Sequence, residues 1–385
     1  MSRPLSVALS GYYGMRNFGD DLFGLLCAAA TRRFWSAEPV LIGPPLLGAH
    51  ARSTWPRPLP SALYGAGGPA GKLSRLLGFA NGLRACDLLV MGGGSVINAR
   101  ESFRKPLMLA AQRRGRAPLA AVGVSIGPFA NRAEQATAAE YVRSFAYLAV
   151  RDRRSHALAL EMGLERIVHD GRDLAGLLAH LVPVAARRGD RSAPVIGVAP
   201  CHFHVRPDHP APAPQAWQDA AIEALAQCAS ERALAVKVFS LNGHPRHGDA
   251  ELALRMQSQL HDRGVVATAQ LYAGGDPLAM VDAIADCDAF ISARLHGAIV
   301  AYLCGVPFTI VDYHPKCRDF ADDIGLPSAL RLTADEHDYA ACARALSTML
   351  NETGIEPVVS PNLYAQQALR IFQCAPWSTT APSTP

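Results

Sequence analysis

Short apolar runs that stop at polar or glycine residues alternate, along most of the chain, with longer Ala- and Leu-rich stretches of helical period, and nothing else in the sequence constrains the fold as much. The first instance is a strand expected at Leu5–Ser10, a glycine-rich loop at Gly11–Gly19 and a helix from Asp20 to Phe34, with Asp20 placed to cap it. Further strands are expected at 40–42, 87–91, 119–124 and 147–150, with helices near 105–114, 132–145 and 153–161. The rhythm restarts after a polar, turn-rich run at 185–194. There we expect strands at 195–199, 235–241, 289–292 and 308–312, with helices at 215–232, 248–263, 277–286 and 295–304. Strands alternating with helices imply parallel sheets covered by helices, an α/β chain. The Pro- and Gly-rich segment 52–71 reads as a long loop.

A length of 385 residues exceeds one ordinary core and suggests two domains. The turn-rich run sets them at 1–186 and 194–360, with a terminal helix near 362–372 and a disordered tail making up 361–385. Two such domains, Rossmann-like and facing a cleft in a GT-B-like architecture, are the expected fold. In open parallel sheets ligands sit at the carboxyl ends of the strands, so the residues just after each strand are the first candidates.

Composition excludes several classes. Thirty-seven basic against 33 acidic residues leave a net charge of +4, too balanced for a nucleic-acid binder. Arginines cluster at 113, 114 and 116, at 151, 153 and 154, and at 187, 188 and 191. They read as solvated helix ends or as a basic rim toward phosphates or an anionic membrane. Nine cysteines form no CxxC pair, and read as free thiols in a reducing compartment. No signal-peptide pattern opens the chain, and the most apolar stretch, 297–311, is interrupted by Gly305 and Pro307 and falls short of the ~20 residues that span a bilayer. A cytoplasmic protein is expected. His202, His204 and His209 lack a complete set of ligand partners, so no metal is expected. No Gly-x-Ser-x-Gly elbow is present.

Three segments carry candidate chemistry. In Ser292-Ala-Arg-Leu-His-Gly, a strand ends at Ser292 and Arg294 and His296 fall in the first turn of the next helix, whose unpaired N–H groups favour an anion. Arg294 offers a fork for carboxylate or phosphate, His296 a proton-transfer group, and Lys316 a second cation after the following strand. Capping or ion pairing is the plainer alternative for each. In Gly11-Tyr-Tyr-Gly14-Met-Arg-Asn17-Phe-Gly-Asp20-Asp21, the glycines permit close backbone approach, and Asn17 and the aspartates offer polar contacts. A tight turn with a capping Asp accounts for it equally. Lastly, Asp87-Leu-Leu-Val-Met is followed by Gly92, Gly93, Gly94 and Ser95, which could present bare amides and a hydroxyl to a ligand.

Arg294-Leu-His-Gly, Gly305-Val-Pro, Asp312-Tyr-His-Pro-Lys316, Asn17-Phe-Gly-Asp20 and the glycine triplet together resemble the polysaccharide pyruvyl transferase family. Weaker echoes are Ser125-Ile-Gly-Pro, Arg151-Asp152 with Ser155, and Asp173-Leu-Ala, while Val124 and Gly171-Arg-Asp173 depart from the family pattern. The resemblance implies transfer of pyruvate from phosphoenolpyruvate, as co-substrate and without a further cofactor, onto a sugar diol as a ketal, with release of phosphate. It implies His296 as general acid or base, and Arg294 and Lys316 on the donor anion. Asn17 and Asp20, with Gly14, Gly93, Gly94, Ser95 and Ser292, fall to substrate binding. The acceptor would be a glycan or a lipid-linked oligosaccharide, the latter placing the enzyme at the cytoplasmic face of the inner membrane. Rival readings are a GT-B nucleotide-sugar glycosyltransferase and a non-catalytic sugar- or anion-binding module. The acceptor sugar, the diol geometry and the oligomeric state are not legible.

Overall fold

The computed structural model describes residues 3–380 except 57, 67, 100, 101, 103, 116, 183–192, 203–215, 246, 335, 336 and 352–354. Most of the expected linker at 185–194, together with Arg116, Arg187, Arg188, Arg191, His204, His209 and the last five tail residues, lies outside the described residues. The chain divides into two units, one of Met1–Met15, Gly19–Val182 and Tyr364–Pro385, the other of Arg16–Phe18 and Pro183–Leu363.

In chain order the first unit contains β1 (Ser6–Ser10), α1 (Phe18–Trp35, whose first residue counts with the second unit), β2 (Glu38–Leu41), β3 (Arg52–Ser53), α2 (Gly68–Ala85), β4 (Leu88–Ile97), α3 (Arg104–Arg113), β5 (Leu119–Ile126), α4 (Arg132–Val142), β6 (Tyr147–Val150), α5 (Arg153–Glu161), β7 (Val168–Asp170) and the short α6 (Leu178–Leu181). Its strands form a parallel sheet in the order β3-β2-β1-β4-β5-β6-β7. Successive strands step outward from β1 in one direction and then from β4 in the other, so the order reverses between β1 and β4, where a doubly wound sheet opens its ligand crevice. Leu89, Leu119, Ala121, Leu148 and Val150 join one apolar core with Val142 of α4 and Phe145 in the connection that follows it.

The second unit contains β8 (Val195–Ala199), α7 (Ala216–Glu231), β9 (Ala235–Ser240), α8 (Ala250–His261), β10 (Val266–Leu271), α9 (Pro277–Ala285), β11 (Ala289–Ser292), α10 (Leu295–Leu303), β12 (Phe308–Asp312), α11 (Pro315–Ile324), β13 (Arg331–Thr333) and α12 (Tyr339–Asn351). Its parallel sheet runs β10-β9-β8-β11-β12-β13, reversing between β8 and β11. Both units are therefore α/β with parallel, Rossmann-like sheets. The last helix, α13 (Pro361–Gln373), begins in the second unit, and from Tyr364 the chain counts with the first.

Some expectations need correction. Asp20 does not cap α1, which starts two residues earlier; instead Asp21, one turn in, accepts a hydrogen bond from the Gly14 N–H at 2.6 Å. The glycine triplet does not follow β4 but lies inside it. A side chain on Gly92 would stand 2.2 Å from the Tyr13 hydroxyl, and one on Gly93 2.3 Å from the Phe23 ring, so bare backbone lets the strand run under both aromatics. Residues 375–380, expected as disordered tail, are tied down: the Thr379 N–H donates to the Phe34 carbonyl at 2.8 Å, and Trp377 packs edge-on to Trp35.

Candidate active site

Register assembles the second unit's carboxyl edge. Ser292 of β11 pairs with Ala199 of β8 on one side and with Ile310 of β12 on the other. Two residues on from those partners stand Arg294, Cys201 and Asp312, so three strands deliver their exit loops at one level. Ser292 itself is fully buried, and its hydroxyl donates to the Arg294 carbonyl at 2.6 Å. It shapes the turn; substrate contact, expected of it, has no opening there. His296 follows in the first turn of α10, half-buried.

Arg294 is not an open fork. Its Nε donates to Asp249 Oδ2 at 2.7 Å and its Nη2 to Oδ1 at 2.5 Å, a bidentate pair with a carboxylate that is 0% exposed while the guanidinium side chain is 16% exposed. Burial alone would lower the arginine's pKa, but Cys201 and Asp249 outweigh it and hold the cation firmly charged. Two of five N–H donors are committed to Asp249, which fixes the plane of the fork and points the guanidinium as a preset group.

Asp249 was invisible to pattern reading. It closes the loop 242–249, in which the Asn242 amide donates to the His247 carbonyl, the His244 N–H donates to Asn242 Oδ1, and the Asp249 N–H donates to the Asn242 carbonyl. His244 and His247 are thus loop framework, their rings stacked with centroids 5.1 Å apart.

Three further groups surround the fork. Burial pushes the Cys201 thiol up to about 11, while Arg294 and, more weakly, Lys316 pull it down; the Lys316 ammonium lies 5.9 Å from the centroid of the Tyr313 ring. Tyr313, bonded to Cys201, has its phenol raised well above the ordinary range by burial. At neutral pH both are protonated, so Cys201 is no thiolate nucleophile and Tyr313 is a donor. The His314 ring caps α11, its Nδ1 accepting the Lys316 N–H at 3.2 Å.

Asn17 stands on this same edge. It bridges Asn242 in antiparallel fashion, the Phe18 N–H donates to the Leu241 carbonyl and the Gly243 N–H to the Arg16 carbonyl, so residues 16–18 extend the second unit beyond β9.

The remaining expected residues belong to the first unit's edge. Gly14 lies in the loop after β1 and Asp20 in the first turn of α1, while Gly94 and Ser95 lie within the second half of β4, the strand on the other side of the order reversal. Gly93 is closed off under Phe23, whereas Gly94 is partly exposed, with only the Val96 side chain nearby. The Tyr12 phenol, raised by burial and then by the Asp20 carboxylate, marks Asp20 as its neighbour. The weaker sequence echoes form one buried network. Arg151 donates to the Ser125 hydroxyl at 2.7 Å and to Asp173 at 2.9 Å, Ser125 donates to Asp152 at 2.6 Å, and Asp152 caps α5 through the Ser155 N–H. Enclosed as they are, these groups lock the ends of β5 and β6 to the turn after β7. Among the described residues no three His, Cys, Asp or Glu side chains gather as a metal site.

The family profile for polysaccharide pyruvyl transferase matches residues 17–315. The chain belongs to this family. The match opens on Asn17 and encloses Asp249, Arg294 and His296, while Lys316 falls one residue beyond it. Membership makes this pyruvyl transferase an enzyme of polysaccharide synthesis with a glycan acceptor. No curated protein matches the sequence closely enough to count as a relative. Among solved structures it is similar to the S. aureus MnaA–UDP co-structure (10% identity, 99% of each chain, TM-score 0.57). It is likewise similar to the UDP-N-acetylglucosamine 2-epimerase from Rickettsia bellii (11% identity, 96% of each chain, TM-score 0.54). The Neisseria meningitidis UDP-GlcNAc 2-epimerase bound to UDP-GlcNAc also matches (8% identity, 95% of this chain and 98% of that one, TM-score 0.53). At such identities the pyruvyl transferase shares their two-domain α/β fold, of GT-B type, and nothing about chemistry follows.

Proposed function

We propose that this pyruvyl transferase uses phosphoenolpyruvate as donor and forms a pyruvate ketal on a sugar diol. The observation that carries the reading is the Asp249-braced Arg294 fork at the head of α10, with Lys316 supplied from the first turn of α11. Phosphoenolpyruvate needs two cationic contacts, one for carboxylate and one for phosphate, and preset donors cost no reorganisation during reaction. One acceptor hydroxyl oxygen bonds to C2 and gives up its proton, while C3 takes a proton and becomes methyl. The second hydroxyl oxygen then bonds to C2, its proton leaves, and the C2–O bond to phosphate breaks. His296, two residues beyond Arg294, is assigned the proton transfers.

Asn17 is assigned to the same edge as the donor, and Gly14, Asp20, Gly94 and Ser95 to the sugar, delivered as a glycan or a lipid-linked oligosaccharide. The test is incubation with phosphoenolpyruvate and a panel of acceptor glycans, reading phosphate release and the mass gain of a ketal. Arg294→Ala and His296→Ala should each lose at least about a hundredfold in turnover while staying folded. Unchanged turnover in either variant would remove that residue's role. Nucleoside diphosphate release from a sugar nucleotide, without ketal formation, would replace the reading altogether.

A further inference from the structure

Helix α2 is built inside out. It buries Gly71, Ser74, Gly78, Phe79 and Gly82, while Leu73, Leu76 and Leu77 stand 57%, 37% and 46% exposed. Their i, i+3, i+4 spacing puts the leucines on one face. A surface helix ordinarily turns its apolar stripe inward, and single exposed leucines are unremarkable; a contiguous trio is a surface waiting for an apolar phase. Rolling the helix to bury them is blocked, because the small residues let it sit hard against the sheet: a side chain on Gly82 would stand 2.7 Å from Ile42.

Charge identifies what meets this face. From Pro39 through Cys86 the chain has no Asp or Glu, and from Pro39 through Ala133 it carries twelve Arg and Lys against two acidic residues, although the whole molecule is only +4. Lys72 lies one turn before Leu76 and Arg84 two turns after Leu77, so exposed cations bracket the leucines. Arg113 and Arg114, at the end of the neighbouring α3, are exposed as well. No aromatic ring projects from the exposed face, which argues against single-stranded nucleic acid. Aliphatic side chains framed by cations on one exposed face match the two contacts an anionic lipid interface offers, apolar chains below and phosphates beside them.

We infer that α2 docks the protein on an anionic lipid bilayer, the leucines entering the headgroup boundary and Lys72 and Arg84 meeting phosphates. Among the described residues no helix is long and apolar enough to cross a membrane, so the contact is peripheral. The inference does not depend on the pyruvyl-transfer reading.

The test is co-sedimentation of the full chain with vesicles of phosphatidylcholine alone or with one third phosphatidylglycerol. Binding is expected to the anionic vesicles, to weaken with salt, and to fall roughly tenfold or more in Lys72→Glu/Arg84→Glu. Leu73→Ser/Leu76→Ser/Leu77→Ser, changed only at exposed positions and checked for an unchanged thermal midpoint, should lose binding even at low salt. No binding to anionic vesicles, or equal binding by both multiple variants, overturns the inference. So does a leucine variant that turns a dimer into a monomer while vesicle binding persists, which would assign the face to a second copy of the chain.

Discussion

Arg294 shows how much of one residue's chemistry is set by a partner far away in sequence. The guanidinium was legible because it directly follows an apolar strand and opens a helix, whereas Asp249, 45 positions earlier, meets it only because β9 and β11 flank β8 in the same sheet. Cys201 escaped for the same reason: its place beside the fork comes from the pairing of Ala199 with Ser292. Removing one partner of a buried, bidentate pair strands the other charge, at a cost of about 3–5 kcal/mol, whereas removing both leaves no orphan. Asp249→Ala is therefore expected to lower unfolding free energy by about 3 kcal/mol, and Arg294→Ala/Asp249→Ala to cost at least about 1 kcal/mol less than the two single changes together. Urea unfolding of the three variants checks this. Additive effects would mean that the fork stands without its brace, and with it would go the claim that Asp249 presets the donor site.

Elements were legible where burial was symmetrical. Tyr147–Val150, Val195–Ala199, Ala289–Ser292 and Phe308–Asp312 agree with the sequence reading to the residue, because central parallel strands covered on both faces read as unbroken apolar runs ended by turn residues. Edge strand β10, Val-Ala-Thr-Ala-Gln-Leu, buries only Ala267 and gave no such run. The start of α2 lay inside the expected loop, since four glycines in eighteen residues argue against a helix until the inward placement of Gly71, Gly78 and Gly82 is known. That placement separates two substitutions of identical propensity. A side chain on Gly78 would meet Thr54 and Trp55 at 3.8 Å, ordinary contact, so Gly78→Ala should gain up to about 1 kcal/mol. The same change at Gly82 drives a methyl to 2.7 Å from Ile42; overpacking of about 1–3 kcal/mol offsets or exceeds the propensity gain, and Gly82→Ala should be neutral to destabilising. Denaturant midpoints of the two variants shifting together in one direction would show that α2 does not sit on Ile42 as described.

On the scale of the whole molecule, buried cysteine thiols make stability a function of alkalinity. Burial pushes the thiols of Cys27, Cys317 and Cys342 up to about 12, and those of Cys86 and Cys201 up to about 11, from an ordinary value near 9. The folded chain thus holds these protons more tightly than the unfolded chain, and both units contribute. Below the unfolded thiol range both states are protonated and the contribution is whole. As pH climbs from about 9 toward 12 the unfolded state ionises first, and each such thiol removes stability at about 1.4 kcal/mol per pH unit. Buried tyrosines add the same sign only above about pH 10, their unfolded value, so the interval between about 9 and 10 belongs to the cysteines. In reducing buffer the unfolding free energy should be nearly flat from about pH 7 to about pH 8 and fall steeply from about 9. Cys342→Ala, which removes one buried thiol from α12 far in sequence from the candidate site residues, should lose stability at neutral pH to the small cavity it leaves, yet show a shallower decline between about 9 and 10. A decline of unchanged slope in that variant would mean that the Cys342 proton is not held by the fold.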